Sequence, residues 1–289
     1  MEILLEWYYQ NPDGIYAGSY EPELILPKGT KQGSYEQLMF YTLTVAIDYQ
    51  RSASDLWDAG RRTMEDEKSR WVFYPKEVAK RSFEELVENL AKYKLSKKTN
   101  RDAKIWQTIC LSLLELFEGN PRKLFEKYDY DALQIFNAMR SQYGKKFPYL
   151  AGSTGTSKIL SLWIRILHEA AKIEFKNLNQ IPMPIDIHTA RATITTGCLV
   201  GDFKGSFNVL VEMAKSAWVE ACQGTKFYPL RLDEALWNLS RNGCSNYTLG
   251  KPCPVRNECK LANFCTANNS KSKIILRQND TTTIDTKYP

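Results

Sequence analysis

Apolar residues return at steps of three and four along most of this chain, and strictly alternating runs are few. That period sets one face of an α-helix toward a core and leaves the other in water. Ile159, Leu162, Trp163, Ile166, Leu167 and Ala170 form one such stripe, and Leu210, Met213, Ala214, Ala217, Trp218 and Ala221 form a second. Further helices are expected near 35–50, 77–94, 102–118, 130–143, 187–197 and 232–240. The last opens on Asp233 and Glu234, an acidic pair suited to a helix N-terminus. Before residue 35, Pro12, Gly14, Gly18, Pro22, Pro27 and Gly29 predict mostly loop after one short aromatic helix. Lys92, Lys94, Lys97 and Lys98 around Leu95 mark an exposed connection whose charge is ordinarily just solvated. Residues 268–289 are polar and are expected to be a disordered tail.

With 289 residues, 43% hydrophobic and 25% charged, the chain has an ordinary globular composition and enough length to bury a core. No stretch approaches the roughly 20 apolar residues of a membrane span, and Met1–Tyr9 lacks the basic flank of a signal peptide. Cys110, Cys198 and Cys222 stand among apolar neighbours and read as free buried thiols. A reducing cytoplasmic setting is expected. The net charge of +6 is mild, but its distribution is uneven. Arg241, Lys251, Arg256, Lys260, Lys271, Lys273 and Arg277 face only Glu258 across 241–277, so one loop carries a surplus equal to that of the whole chain. This suits a phosphate backbone, and equally a solvated surface loop.

The same loop holds Cys244, Cys253, Cys259 and Cys265 in a C-x8-C-x5-C-x5-C run with no histidine. Its prolines and glycines keep the backbone out of helix, so four sulfurs could converge. An all-cysteine set suits a thiolate-bound iron–sulfur cluster or an all-cysteine metal site. Zinc cysteines usually pair at C-x2-4-C; no pair here is that close, so a [4Fe-4S] cluster is expected ahead of zinc.

Two further segments could carry chemistry. In Ile181-Pro-Met-Pro-Ile-Asp-Ile-His-Thr-Ala-Arg191, two prolines hold the chain extended until Asp186 arrives where a helix can begin. A carboxylate there is favoured by exposed amides; it would serve as a plain N-cap or hold negative charge beside a developing sugar cation. In Leu150-Ala-Gly-Ser-Thr-Gly-Thr-Ser-Lys158, Gly152 and Gly155 permit a tight turn whose amides could cradle a phosphate. Lys158 is either a solvated lysine or an amine at the edge of a cleft, where desolvation would make it nucleophilic.

The order of glycine-bearing hairpin, lysine, helix, Pro184-Ile-Asp-Ile-His188 with Arg191, then a basic four-cysteine loop resembles the helix-hairpin-helix DNA glycosylases of the endonuclease III type, over roughly residues 35–265. The resemblance implies an all-α, two-lobed fold with a C-terminal iron–sulfur cluster loop. Residues 35–170 would form a helical barrel with the hairpin, and 1–34 with 171–267 the cluster-bearing domain. Double-stranded DNA would lie between the lobes with the target base flipped out, and the protein would act as a monomer. By position, Asp186 would stabilise the oxocarbenium-like sugar, and Lys158 would attack C1′ as a Schiff-base lysine. Gly152 and Gly155 would bind a phosphate, with a monovalent cation at the hairpin. Gln50 or Arg51 would fill the hole left by the flipped base, and Arg191, Lys251, Arg256 and Lys260 would contact DNA. The resemblance thus implies a glycosylase, with or without lyase activity, acting on a damaged or modified base. A catalytically inactive nucleic-acid-binding protein of this fold and a zinc-stapled helical interaction protein are the alternatives.

Overall fold

The computed structural model describes residues 1–152, 157–244, 253, 255–266, 271–278 and 280–286. Two compact units emerge: a terminal unit of Met1–Tyr20 with Asn179–Pro289, and a central unit of Glu21–Leu178. Among the described residues the fold is mostly helical, as the apolar period predicts.

The chain opens with α1 (Glu2–Leu5), which widens into a π-helical turn over Glu6–Gln10. The central unit begins with α2 (Tyr35–Val45), buried continuously from Gln37 to Val45. It stops short of the expected residue 50, where Gln50 takes a left-handed φ of 53°. An unforeseen α3 (Ala53–Glu65) follows. Its Gly60 meets α2 so closely that a Cβ would lie 3.0 Å from Phe40 and 3.2 Å from the Thr44 hydroxyl. The single helix expected over 77–94 is instead two, α4 (Pro75–Val78) and α5 (Phe83–Lys92), because Ser82 and Glu85 form a capping box that starts the second afresh. Then come α6 (Thr99–Phe117), α7 (Pro121–Lys127), α8 (Ala132–Ser141) and α9 (Lys158–Glu169). Trp57, Phe40, Phe73 and Trp106 form the aromatic heart of this unit, with successive ring centroids 5.2–6.0 Å apart. Trp163 on α9 donates to the Thr42 hydroxyl at 3.1 Å, tying α9 to α2.

The buried face of α9 is wider than its apolar stripe, for it includes Arg165, only 1% exposed. Arg165 meets Glu23 at 2.7 Å, Glu21 at 3.2 Å and Glu169 at 3.6 Å. A guanidinium can be buried only with such partners.

The terminal unit adds α10 (Ile187–Thr195), β1 (Gly201–Ser206), α11 (Phe207–Cys222), α12 (Asp233–Leu239), β2 (Lys273–Ile275) and β3 (Thr281–Thr286). Its core gathers Trp7, Tyr16, Ile185, Leu210, Trp218, Leu236 and Ile284 among others. Trp218 donates to Thr193 at 2.8 Å, and Tyr16 donates to the Ala235 carbonyl at 2.8 Å. The tail expected to be disordered is corrected here: its strands complete an antiparallel sheet of order β1-β3-β2. Ile284 faces Phe203 on one side and Ile274 on the other, and Thr282, Ile284 and Thr286 alternate inward. Among the described residues, no helix is long and apolar enough to cross a membrane.

Candidate active site

Asp186 reaches its position because Pro182 and Pro184 cannot continue a helix, so the chain arrives extended and turns into α10 at the carboxylate. Its Oδ1 accepts from the amides of His188 at 2.8 Å and Thr189 at 3.1 Å, while its own amide donates to Thr189 Oγ1 at 2.7 Å. Thr189 is fully buried, so this reciprocal cap is fixed from beneath. The half-buried carboxylate therefore sits on two amides and the positive end of α10, a setting that favours negative charge. His188 meets Trp237 edge-on at 5.4 Å, and the Arg241 guanidinium lies 4.9 Å from the same indole. Trp237 was not singled out in the sequence; only its place one helical turn before the basic loop could have drawn notice.

Arg191, expected to contact DNA, is half-buried and donates to Ser240 Oγ at 3.4 Å. Burial draws its pKa down, with Cys244 and Asp186 acting the other way.

In the central unit, Gly152 closes the turn that leads to Lys158. Its φ of +60° is left-handed, and a Cβ there would fall 2.6 Å from the Ser157 Cα. Only glycine fits. Ser157 donates to the Gly152 carbonyl at 3.2 Å, and half-buried Lys158 is the first residue of α9. Gly155 and Lys251 lie outside the described residues. Gln50 is exposed, and its side-chain oxygen accepts from Lys98 at 2.7 Å. Arg51 donates to the carbonyls of Leu95 at 2.6 Å and Lys94 at 3.1 Å, which commits its guanidinium to bracing that loop. Arg256 is exposed, while Lys260 pairs with Asp13 at 3.0 Å.

The metal-centre expectation is overturned. Cys244, Cys253, Cys259 and Cys265 are free thiols, and no three of their sulfurs lie within 4.8 Å of one another. Among the described residues, the group of ligand-type side chains gathered that closely consists of glutamates. Burial pushes the Cys244 thiol up to about 12, and the neighbouring thiols of Cys265, Cys259 and Cys253 add to the rise. Sequence spacing brings cysteines near one another but does not aim their sulfurs at one point. The four sulfurs do not gather as the ligands of one metal ion would, and neither an iron–sulfur cluster, nor zinc, nor a hairpin cation enters the chemistry below.

No curated protein matches the chain closely enough to count as a relative. A family model described as AGOG, N-glycosylase/DNA lyase, matches residues 36–270, far more than half of the sequence and including both Lys158 and Asp186. The chain therefore belongs to the AGOG family of N-glycosylase/DNA lyases, within the helix-hairpin-helix DNA glycosylase superfamily.

Proposed function

We propose that this protein excises a damaged or modified base from double-stranded DNA by breaking its N-glycosidic bond. The observation that carries the reading is Asp186, a carboxylate held by the His188 and Thr189 amides at the start of α10, in a chain of a glycosylase family. As the C1′–N bond breaks, its electron pair leaves with the base and positive charge spreads over C1′ and the ring oxygen. A fixed carboxylate stabilises that cation; being already bound by its helix, it needs little rearrangement as charge develops. In the hydrolytic branch, water then adds at C1′ with loss of a proton, giving an abasic sugar.

In the lyase branch, the amine of Lys158 adds to C1′ in place of water and loses a proton. The sugar ring opens to a Schiff base, and loss of the C2′ proton expels the 3′-phosphate by β-elimination. The start of α9 supports Lys158 in this role: the Gly152–Ser157 closure fixes the backbone from which the lysine projects.

Borohydride reduction during turnover of a panel of modified duplexes tests both branches. Base release with a covalent protein–DNA adduct that Lys158→Ala abolishes supports the lyase branch. Base release with no adduct restricts the enzyme to hydrolysis. Tight duplex binding with no base release from any substrate would favour a binding protein of the same fold.

A further inference from the structure

Tyr49 and Tyr149, distant in sequence, stack in the central unit with ring centroids 4.6 Å apart and 22° between their planes. Tyr149 still exposes 36% of its surface. Its φ of 64° lies in the left-handed region, where a bulky side chain stays only if its surroundings hold it. Tyr49 is anchored from below, since its hydroxyl donates to Asp102. Asp102, 1% exposed, also accepts from the amides of Lys97 at 2.7 Å and Lys98 at 2.8 Å. One buried carboxylate therefore fixes both an aromatic ring and the lysine-rich loop beside it.

The rim of this ring pair is cationic. The Arg101 guanidinium lies 4.9 Å from the Tyr149 centroid and 5.4 Å from that of Tyr49, and the Lys98 ammonium lies 5.0 Å from the Tyr49 centroid. Arg101 is exposed, whereas the Lys97 ammonium donates to the Gln50 carbonyl. Lys98, at the end of the lysine run around Leu95, is thus more than part of a solvated connection, because it borders a rigid aromatic surface. The chain reaches Gly152 three residues after Tyr149, so the ring pair adjoins the turn leading to Lys158.

Exposed aromatic faces bordered by cations suit a nucleotide whose base is out of a double helix: the base stacks and its phosphates meet the cations. A paired base hides its faces within the duplex stack and cannot use such a surface. We propose that Tyr149, backed by Tyr49, is a stacking platform for an unpaired nucleotide, with Arg101 receiving its phosphate. The proposal rests on the reading of the protein as DNA-directed and adds to it a second contact, apart from the base-excision residues.

Fluorescence anisotropy on the full chain tests it, with a labelled blunt duplex and the same duplex carrying a short oligothymidylate overhang. The wild type should bind the overhang duplex more tightly. Tyr149→Ala and Arg101→Ala should each remove that gain, on the order of tenfold, whereas Tyr149→Phe should keep it. Lys123→Ala, which removes an exposed cation on α7 paired with Glu126, should also keep it. Should Tyr149→Ala lose its helical circular dichroism, Tyr149→Leu, bulky but without a stacking face, decides in the same way. Unchanged overhang binding by the Tyr149 variant, or an equal loss from Lys123→Ala, overturns the platform. A wild type that releases base yet ignores the overhang sinks the platform alone; one that neither releases base nor binds either duplex sinks the underlying DNA reading as well.

Discussion

Arg165 is surrounded by three carboxylates where little water reaches, so its charge is set by its neighbours. Removing it would leave Glu21, Glu23 and Glu169 buried without their cation. Arg165→Met should therefore cost about 3–5 kcal/mol in urea unfolding. Glu21 responds differently. Burial raises its pKa above the usual carboxylate range, with Arg165 pulling the other way. The folded state then holds that proton more tightly than the unfolded chain, so Glu21 costs stability near neutral pH. The cost fades as pH falls through the raised folded value toward the ordinary one. Glu21→Gln should thus narrow the stability difference between about pH 7 and about pH 5, and an unchanged difference would refute this assignment. At this scale the sequence was informative about Asp186, since prolines followed by an acid before a helical period already signal a cap. It did not show where Arg51 and Arg165 point, because the direction a long side chain takes depends on partners elsewhere in the chain.

Helices proved legible where a strong stripe or capping pair stood alone, and less so where charge diluted the pattern. α3 escaped notice because Asp55, Asp58, Arg61, Arg62 and Glu65 crowd its outer face, although Leu56, Trp57, Gly60 and Met64 face inward. The terminal strands were hidden by threonines, which read as polar in a tail yet fit a pleated surface. Ile284 is 4% exposed, and Ile284→Ala should cost about 2–4 kcal/mol; a disordered tail would show no change. Gly152 gives a matching test of the turn before α9. Gly152→Ala forces a Cβ against the Ser157 backbone at a left-handed φ and should cost about 1–3 kcal/mol. A variant as stable as the wild type would mean that the turn is not closed in this way.

For the molecule as a whole, the helical class and the glycosylase superfamily were both legible, because they rest on the order of motifs from the Gly152 turn to Arg191. The cofactor was not, since four cysteines in a basic loop satisfy a spacing without satisfying a geometry. What remains central is the carboxylate at the start of α10. Asn caps a helix about as well as Asp, so Asp186→Asn should keep the fold while removing the charge proposed to stabilise the sugar cation. Single-turnover base release from modified duplexes, compared for wild type and Asp186→Asn with unfolding midpoints matched, measures that charge directly. The rate should fall by roughly a hundredfold or more, and equal rates in two equally folded proteins would contradict the catalytic role of Asp186.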